Sequence, residues 1–294
     1  MSVNEAALIE IVGVNGELWT VSGPGMGEQG VILADDLEAL FDEAPWTAIW
    51  RQGATQEGAT LEGVSPEPID LVLSFETFSS DSGMPWDEVE ARFFQSFDTI
   101  KEATIRITDN GEARTLRVVK MTNAKMKSKK DPRLIGKATI ILTLRAGWPY
   151  WEGDTYTSTF APSGVDGVWE GEVIVSNPTD APIYLEWSIS APGVWHIPDH
   201  DFENPESPPH QISLPPLTVG QFLTIDTYPR EETYILADGT NFAGRMGGVD
   251  FLHPIPPRTP ETRLPIRVSG HTAGAFAQAR MVRHWKRPTG KVYL

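Results

Sequence analysis

The chain has 294 residues, enough for two domains of ordinary size, and its 40% hydrophobic content with 10 Trp and 12 Phe supports packed cores and excludes a largely disordered chain. Cysteine is absent, which excludes a disulfide framework and any cysteine-ligated metal. The formal net charge of −16 argues against tight phosphate binding by the whole surface, no run approaches 18 apolar residues, and Met1–Glu10 carries two acids and no base, so neither a leader nor membrane insertion is expected.

Strand signals come first. Leu8–Val14 and Glu17–Val21 are apolar runs joined by Asn15-Gly16, a strong hairpin turn. Val31–Leu33, Thr47–Trp50 and Ile69–Phe75 read as further strands, and Asp35–Phe41 as a short helical turn. A helix is predicted over Pro85–Ile100. Proline suits its first position, Asp87 and Glu88 suit the positive end of its dipole, and Trp86, Val89, Phe93, Phe97 and Ile100 share one face. Thr104–Thr108 and Ala113–Met121 flank a second hairpin turn, Asp109-Asn110-Gly111. Ala138, Ile140, Leu142 and Leu144 alternate with Thr139 and Thr143, as in a half-buried strand.

The connection between these last strands, Thr122–Lys137, holds Lys125, Lys127, Lys129, Lys130, Arg133 and Lys137 against one acid, Asp131. Its length suits either a solvated loop or an arm that contacts another subunit. Beyond it, Ala146–Trp151 marks a change of composition, and Trp148, Tyr150 and Trp151 are expected to pack at a joint between domains 1–150 and 151–294. A polar stretch reads through Gly167. Then Glu172–Ser176, Ile183–Ser190, Gln221–Thr227, Thr233–Leu236, Leu264–Val268 and Ala275–His284 read as strands, with a Pro-rich loop over Asn204–Pro216. No helix of amphipathic period follows residue 105. Short strands at this spacing point to a sandwich or jelly roll.

Charge falls in blocks along this order. Residues 1–105 hold 20 acids and 3 bases (net −17), 106–145 hold 3 acids and 11 bases (+8), 146–261 hold 17 acids and 3 bases (−14), and 262–294 hold no acid and 7 bases (+7). Patches of opposite potential suit docking between subunits.

Motifs for chemistry are weak by comparison. Gly25-Met26-Gly27-Glu28-Gln29-Gly30 has dinucleotide-loop spacing, but the strand-like Val31-Ile32-Leu33 follows it where a helix is required. His196 and His200 lie four apart beside Asp199 and Asp201, but Pro198 between them removes the helical geometry of a zinc pair. Adjacent acids at Asp35-Asp36, Asp42-Glu43, Asp87-Glu88 and Glu231-Glu232 do not by themselves build a two-carboxylate cleft. No nucleophile elbow, zinc-protease helix or P-loop pattern occurs. Trp148, Tyr150, Trp151, Trp169, Trp187 and Trp195 suit either sugar stacking or packing, which keeps open a second reading, a glycan-binding or glycan-degrading protein.

The order of these pieces resembles the distal tail proteins (minor tail proteins) of long-tailed phages of actinobacteria. The resemblance is carried by Gly23–Leu33, by the tryptophan-led Trp86–Asp98 with Glu90-Ala91-Arg92-Phe93 at its centre, and by Ala138–Trp151. Ser176–Trp187, Val194–Pro198, Gly247–Pro257 and Trp285–Pro288 extend it over nearly the whole chain. It implies a mostly β protein, with an N-terminal tail-tube-like domain bearing one helix and a C-terminal galectin-like or carbohydrate-module-like sandwich. It implies a ring, usually of six, without catalytic activity or cofactor. The ring would join the tail-tube and tape measure proteins to the tip hub and receptor-binding proteins, at the virion tail tip, after assembly in the host cytoplasm. DNA would pass through it without being held. The net of −17 over residues 1–105 then predicts acids along the channel, with Asp35, Asp36, Glu38, Asp42 and Glu43 the densest group.

Overall fold

The computed structural model describes residues 6–165, 167–204, 210–229, 231 and 233–290; the Asp36 side chain lies outside the described part. Two compact units emerge. Unit 1 comprises described residues up to Gly153 and takes back the C-terminal segment from Trp285; unit 2 runs from Asp154 to His284.

Unit 1 is built on antiparallel strands. β1 (Leu8–Val12) pairs with β2 (Leu18–Ser22) and with β7 (Ala103–Asp109), and β7 pairs with β8 (Glu112–Lys120). β3 (Val31–Glu38) pairs with β6 (Ile69–Phe78), and β6 with β10 (Lys137–Ala146) over ten consecutive residues. β4 (Trp46–Arg51) and β5 (Thr60–Pro66) form a separate two-stranded ribbon. Both turns read from the sequence carry positive φ where expected, at Gly16 (80°) and at Asn110 and Gly111 (51° and 83°). The two-residue Asn110-Gly111 turn matches the twist of its flanking strands.

The core follows from alternation. β10 buries Ala138, Ile140, Leu142 and Leu144 on one face, as predicted. α1 (Trp86–Gln95) lays Val89 and Phe93 against this core. The Phe93 ring meets Trp19, Phe75 and Phe97 edge-on at centroid distances of 5.4, 5.0 and 5.3 Å, the preferred aromatic geometry. Trp19 Nε1 donates to Ser96 Oγ at 2.8 Å, so the buried indole loses no hydrogen bond.

Three expectations need correction here. The helix stops at Gln95, because the Asp98 carboxylate accepts from the Ile100 and Lys101 amides (2.7 and 3.0 Å) and turns the chain. Ile100 is therefore 86% exposed and lies off the buried face. Asp35–Phe41 is not helical. β3 runs on through Glu38 after a register shift between Leu33 and Leu37, and the chain then turns at Ala39 (φ 65°). The connection Thr122–Lys137 holds β9 (Lys125–Lys127), which pairs with β10, and a one-turn helix, α2 (Pro132–Ile135).

Unit 2 is a sandwich of two antiparallel sheets. β11 (Trp151–Phe160), where only a polar stretch was read, is a strand; its polar residues alternate without an apolar face. The remaining strands are β12 (Val168–Asn177), β13 (Glu186–Ser190), β14 (Val194–Pro198), β15 (Gln211–Ser213), β16 (Phe222–Asp226), β17 (Thr233–Leu236), β18 (Thr259–Ser269) and β19 (Ala277–Trp285). One sheet has the order β12-β18-β14-β15; in the other, β17, β16, β13 and β19 are successive neighbours. Val173, Val175, Trp195 and Val268 from the first meet Trp187, Leu223, Ile225 and Ala279 from the second in one core. Asn177 closes the Ser-Asn-Pro-Thr-Asp turn. Its Nδ2 donates to the Ala181 and Ile255 carbonyls, and its Oδ1 accepts from the Thr179 amide and hydroxyl.

Candidate assembly interface

The basic arm is structured. β9 continues the sheet beside β10 through Lys125↔Ile141, Met126↔Ile140 and Lys127↔Thr139. Ser128 Oγ donates to the Lys130 carbonyl at 2.6 Å. The Asp131 carboxylate caps α2 by accepting from the Arg133 amide at 3.0 Å, and Gly136 ends it in the left-handed region at φ 64°. This backbone holds Lys125, Lys127, Lys129, Lys130 and Lys137 out into solvent, with Arg133 also exposed. Leu134, at 83% exposure, and Ile135 and Met126 stand among them.

The arginines on the sheet strands of unit 1 are used differently from these cations. Arg106 pairs with Glu10 across β7 and β1, Arg117 with Glu152 at 2.7 Å, and Arg145 with Asp70 directly opposite on β6. The Arg145 fork makes two 2.6 Å bonds to both Asp70 oxygens, and those bonds hold the Asp70 carboxyl below its ordinary range. Among the described residues, no ion pair within 4.0 Å involves Lys125, Lys127, Lys129, Lys130, Arg133 or Lys137. Arg133 does act at longer range on Glu90 of α1, whose carboxyl is pushed up by burial and pulled partly back by that guanidinium. The positive block thus divides into arginines paired within the sheet (Arg106, Arg117 and Arg145) and an outward-facing arm of five lysines and Arg133.

The acids and aromatics fall elsewhere. Asp35 and Glu38 are exposed on β3, and Asp42 and Glu43 are exposed in the turn that follows. Glu43 lies 3.9 Å from Lys286 of the C-terminal segment. Trp151 is buried in the unit 1 core, and Trp148 meets Tyr150 edge-on at 5.4 Å.

Two features escaped the sequence reading. The first is Arg114, 4% exposed at its side chain, which stacks on Trp285 at 3.8 Å and donates to the Arg287 and Gly290 carbonyls at 2.8 Å each. It clamps the returning C-terminal segment onto unit 1. The second is β5, which completes the ribbon with β4 and leaves Trp46, Trp50, Leu61 and Val64 half or more exposed. The spacing Trp46-x-Ala48-x-Trp50 was a legible signal for one apolar face.

No protein-family model matches the chain. Minor tail protein Gp27 of Mycobacterium phage D29 is 27% identical over 334 aligned positions, covering 96% of this chain and 98% of that protein. Minor tail protein Gp27 of Mycobacterium phage L5 is 26% identical over 333, with the same coverage. Among solved structures, the Dit protein (gp 19.1) of SPP1, described as a hub of the adsorption apparatus in phages infecting Gram-positive bacteria, superposes with a TM-score of 0.61 at 9% identity. That match covers 94% of this chain and 99% of the SPP1 chain. A chain of the activated phage P2 baseplate with calcium gives 0.51 at 11% identity, covering 95% and 98%. The chain is similar over nearly its whole length to these two mycobacteriophage minor tail proteins and shares its fold with the SPP1 Dit protein.

Within this Dit-like fold the histidine and aromatic candidates have structural uses. Asp199 is buried and accepts from the Leu252 and His253 amides and faces His253 Nδ1 at 3.0 Å, which ties the loop before β18 to the end of β14. His200 packs edge-on against Phe202. Among the described residues no group of three or more His, Asp or Glu is placed to hold a metal ion. Trp187 and Trp195 are fully buried and offer no face for a sugar.

Proposed function

We propose that this chain is a structural subunit of a phage tail tip, which assembles as a ring through unit 1 and performs no reaction. The observation that carries the reading is coverage. Two minor tail proteins match essentially end to end, and the Dit fold spans the same length. A ring needs a heterologous contact whose rotation closes, and unit 1 carries outward lysines and surplus acids on different segments. The tail-tube and tape measure proteins would meet one side of the ring, and the tip hub and receptor-binding proteins the other. Acids of unit 1, with Asp35, Glu38, Asp42 and Glu43 as first candidates, would line the channel and repel the passing duplex, since lysines there would bind it by counterion release. Assembly would take place in the host cytoplasm.

The mass of the purified species tests this. Six copies of the 32.5-kDa chain would give about 195 kDa. Labelled antibody against the chain should mark the distal end of intact tails. A label confined to the capsid, or robust polysaccharide hydrolysis abolished by one Asp or Glu substitution, would overturn the reading.

A further inference from the structure

The β4–β5 ribbon is amphipathic and uncovered. By its register, Trp46, Ala48 and Trp50 share one face with their partners Pro66, Val64 and Leu61; the other face presents Thr47, Ile49, Arg51, Thr60 and Ser65. Trp46 is 55% and Trp50 60% exposed, with Leu61 and Val64 at 50% and 53%. These side chains leave roughly 400–500 Å² of apolar surface in one patch, a size at which the largest patch on a monomer is often functional. A lone two-stranded hairpin gains little from its own backbone bonds, so a covered face would add most of its stability.

Charge identifies the cover. Residues 42–67 hold five acids (Asp42, Glu43, Glu57, Glu62, Glu67) and one base, Arg51, a net of −4. Arg51 is already held by Glu62 at 2.8 Å. Residues 121–137 hold six bases and one acid, a net of +5, around the exposed Met121, Met126, Leu134 and Ile135. Each segment is an apolar patch with a charged rim, and the rims have opposite sign. Resting on the ring reading above, we propose that the β4–β5 ribbon of one copy docks head to tail on the β9–α2 segment of the next copy. The two patches lie on different segments of unit 1, so a contact made once per pair of copies is heterologous and closes into a ring when the rotation per copy allows. Opposite rims set the register, and the aromatic face supplies the buried area.

Three measurements on the full chain decide the matter. The double variant W46S/W50S and the triple variant K127E/K129E/K130E alter exposed side chains, so each should keep its melting curve. Each should weaken self-association by sedimentation roughly tenfold or more. Adding E57K/E67K to the triple variant should restore part of the loss. The absence of cysteine allows a direct geometric test: Thr55→Cys in one copy and Ser128→Cys in another, mixed and oxidised, should give crosslinked pairs well above either copy alone. Rings that persist in both variants, with no excess of mixed crosslinks, overturn this contact and leave the ring reading standing. A wild-type chain that stays monomeric at every concentration overturns both.

Discussion

Arg114 is the internal contact best suited to test, because one side chain makes three of the contacts that hold the returning segment. Arg114→Ala removes two hydrogen bonds from a buried cation, each contributing about 1.5–3 kcal/mol, and a desolvated cation–π contact of about 1–2 kcal/mol. The freed carbonyls of Arg287 and Gly290 can reach water, both residues being exposed, which offsets part of the loss. A net destabilisation of about 3–5 kcal/mol is expected, or roughly 6–20 °C in the unit 1 melting transition at 2–4 °C per kcal/mol. Arg114→Lys keeps the charge but cannot fork to two carbonyls, and should lose about half as much. Thermal melts followed by tryptophan fluorescence report the transition, and hydrogen exchange at residues 285–290 reports the clamp. A melt shifted by less than about 1 °C, with exchange at 285–290 unchanged, would refute the reasoning.

Asn177→Ala should cost about 2–4 kcal/mol in urea melts of the unit 2 transition, because it orphans the buried Thr179 amide and removes one of two donors from each of the Ala181 and Ile255 carbonyls. Gly30→Ala should destabilise unit 1 by at least about 2 kcal/mol, since a Cβ there meets the Phe78 carbonyl oxygen at 2.3 Å on a backbone with φ +84°. Gly16→Ala, with the same sign of φ but open space around it, serves as the control at about 1 kcal/mol. Asp70→Asn should matter little, below about 1 kcal/mol, because the Arg145–Asp70 pair is half exposed. Its pH dependence has a definite sign. The folded Asp70 pKa is lowered by the Arg145 hydrogen bonds, so the pair's contribution is present above the unfolded carboxyl range and is lost as pH falls through the folded value. Wild type and Asp70→Asn should therefore differ at neutral pH and converge in acid.

Elements with a short-range cause were legible in the sequence. The Asn15-Gly16 and Asn110-Gly111 turns, the alternation of β10 and the buried face of α1 through Phe93 all follow from local chemistry. What failed was decided at a distance or by polar residues. Ile100 fits the helical period, but the Asp98 side chain captures the backbone two residues earlier. β11 reads Glu-Gly-Asp-Thr-Tyr-Thr-Ser-Thr and has no apolar face to betray it. β5 carries only Leu61 and Val64 as large apolar residues, broken by Gly63 and ended by Pro66, so its pairing with β4 is invisible without β4's own alternation. Of the proposed contact, the lysine arm was legible as charge and one edge of the ribbon in the Trp46-x-Ala48-x-Trp50 spacing, whereas the partner strand β5 was not.

Net charge by block also misstates where charge acts. The +7 of residues 262–294 suggested a basic patch, yet Arg263, Arg267 and Arg280 lie beside Glu172, Glu170 and Glu186 on neighbouring strands of unit 2. Lys286 and Arg287 fold back instead onto unit 1. There the Ala44 amide donates to the Lys286 carbonyl at 2.8 Å, and Glu67 closes onto the Pro45 carbonyl at 2.9 Å, at the root of the β4–β5 ribbon. The clamp at Arg114 thus fixes the segment on which the ribbon is seated. If the ribbon is the docking element, loosening Arg114 should weaken self-association as well as stability, although Arg114 itself is buried within unit 1. A stabilising contact and an assembling contact are then joined by three links of chain: guanidinium, C-terminal backbone and hairpin root.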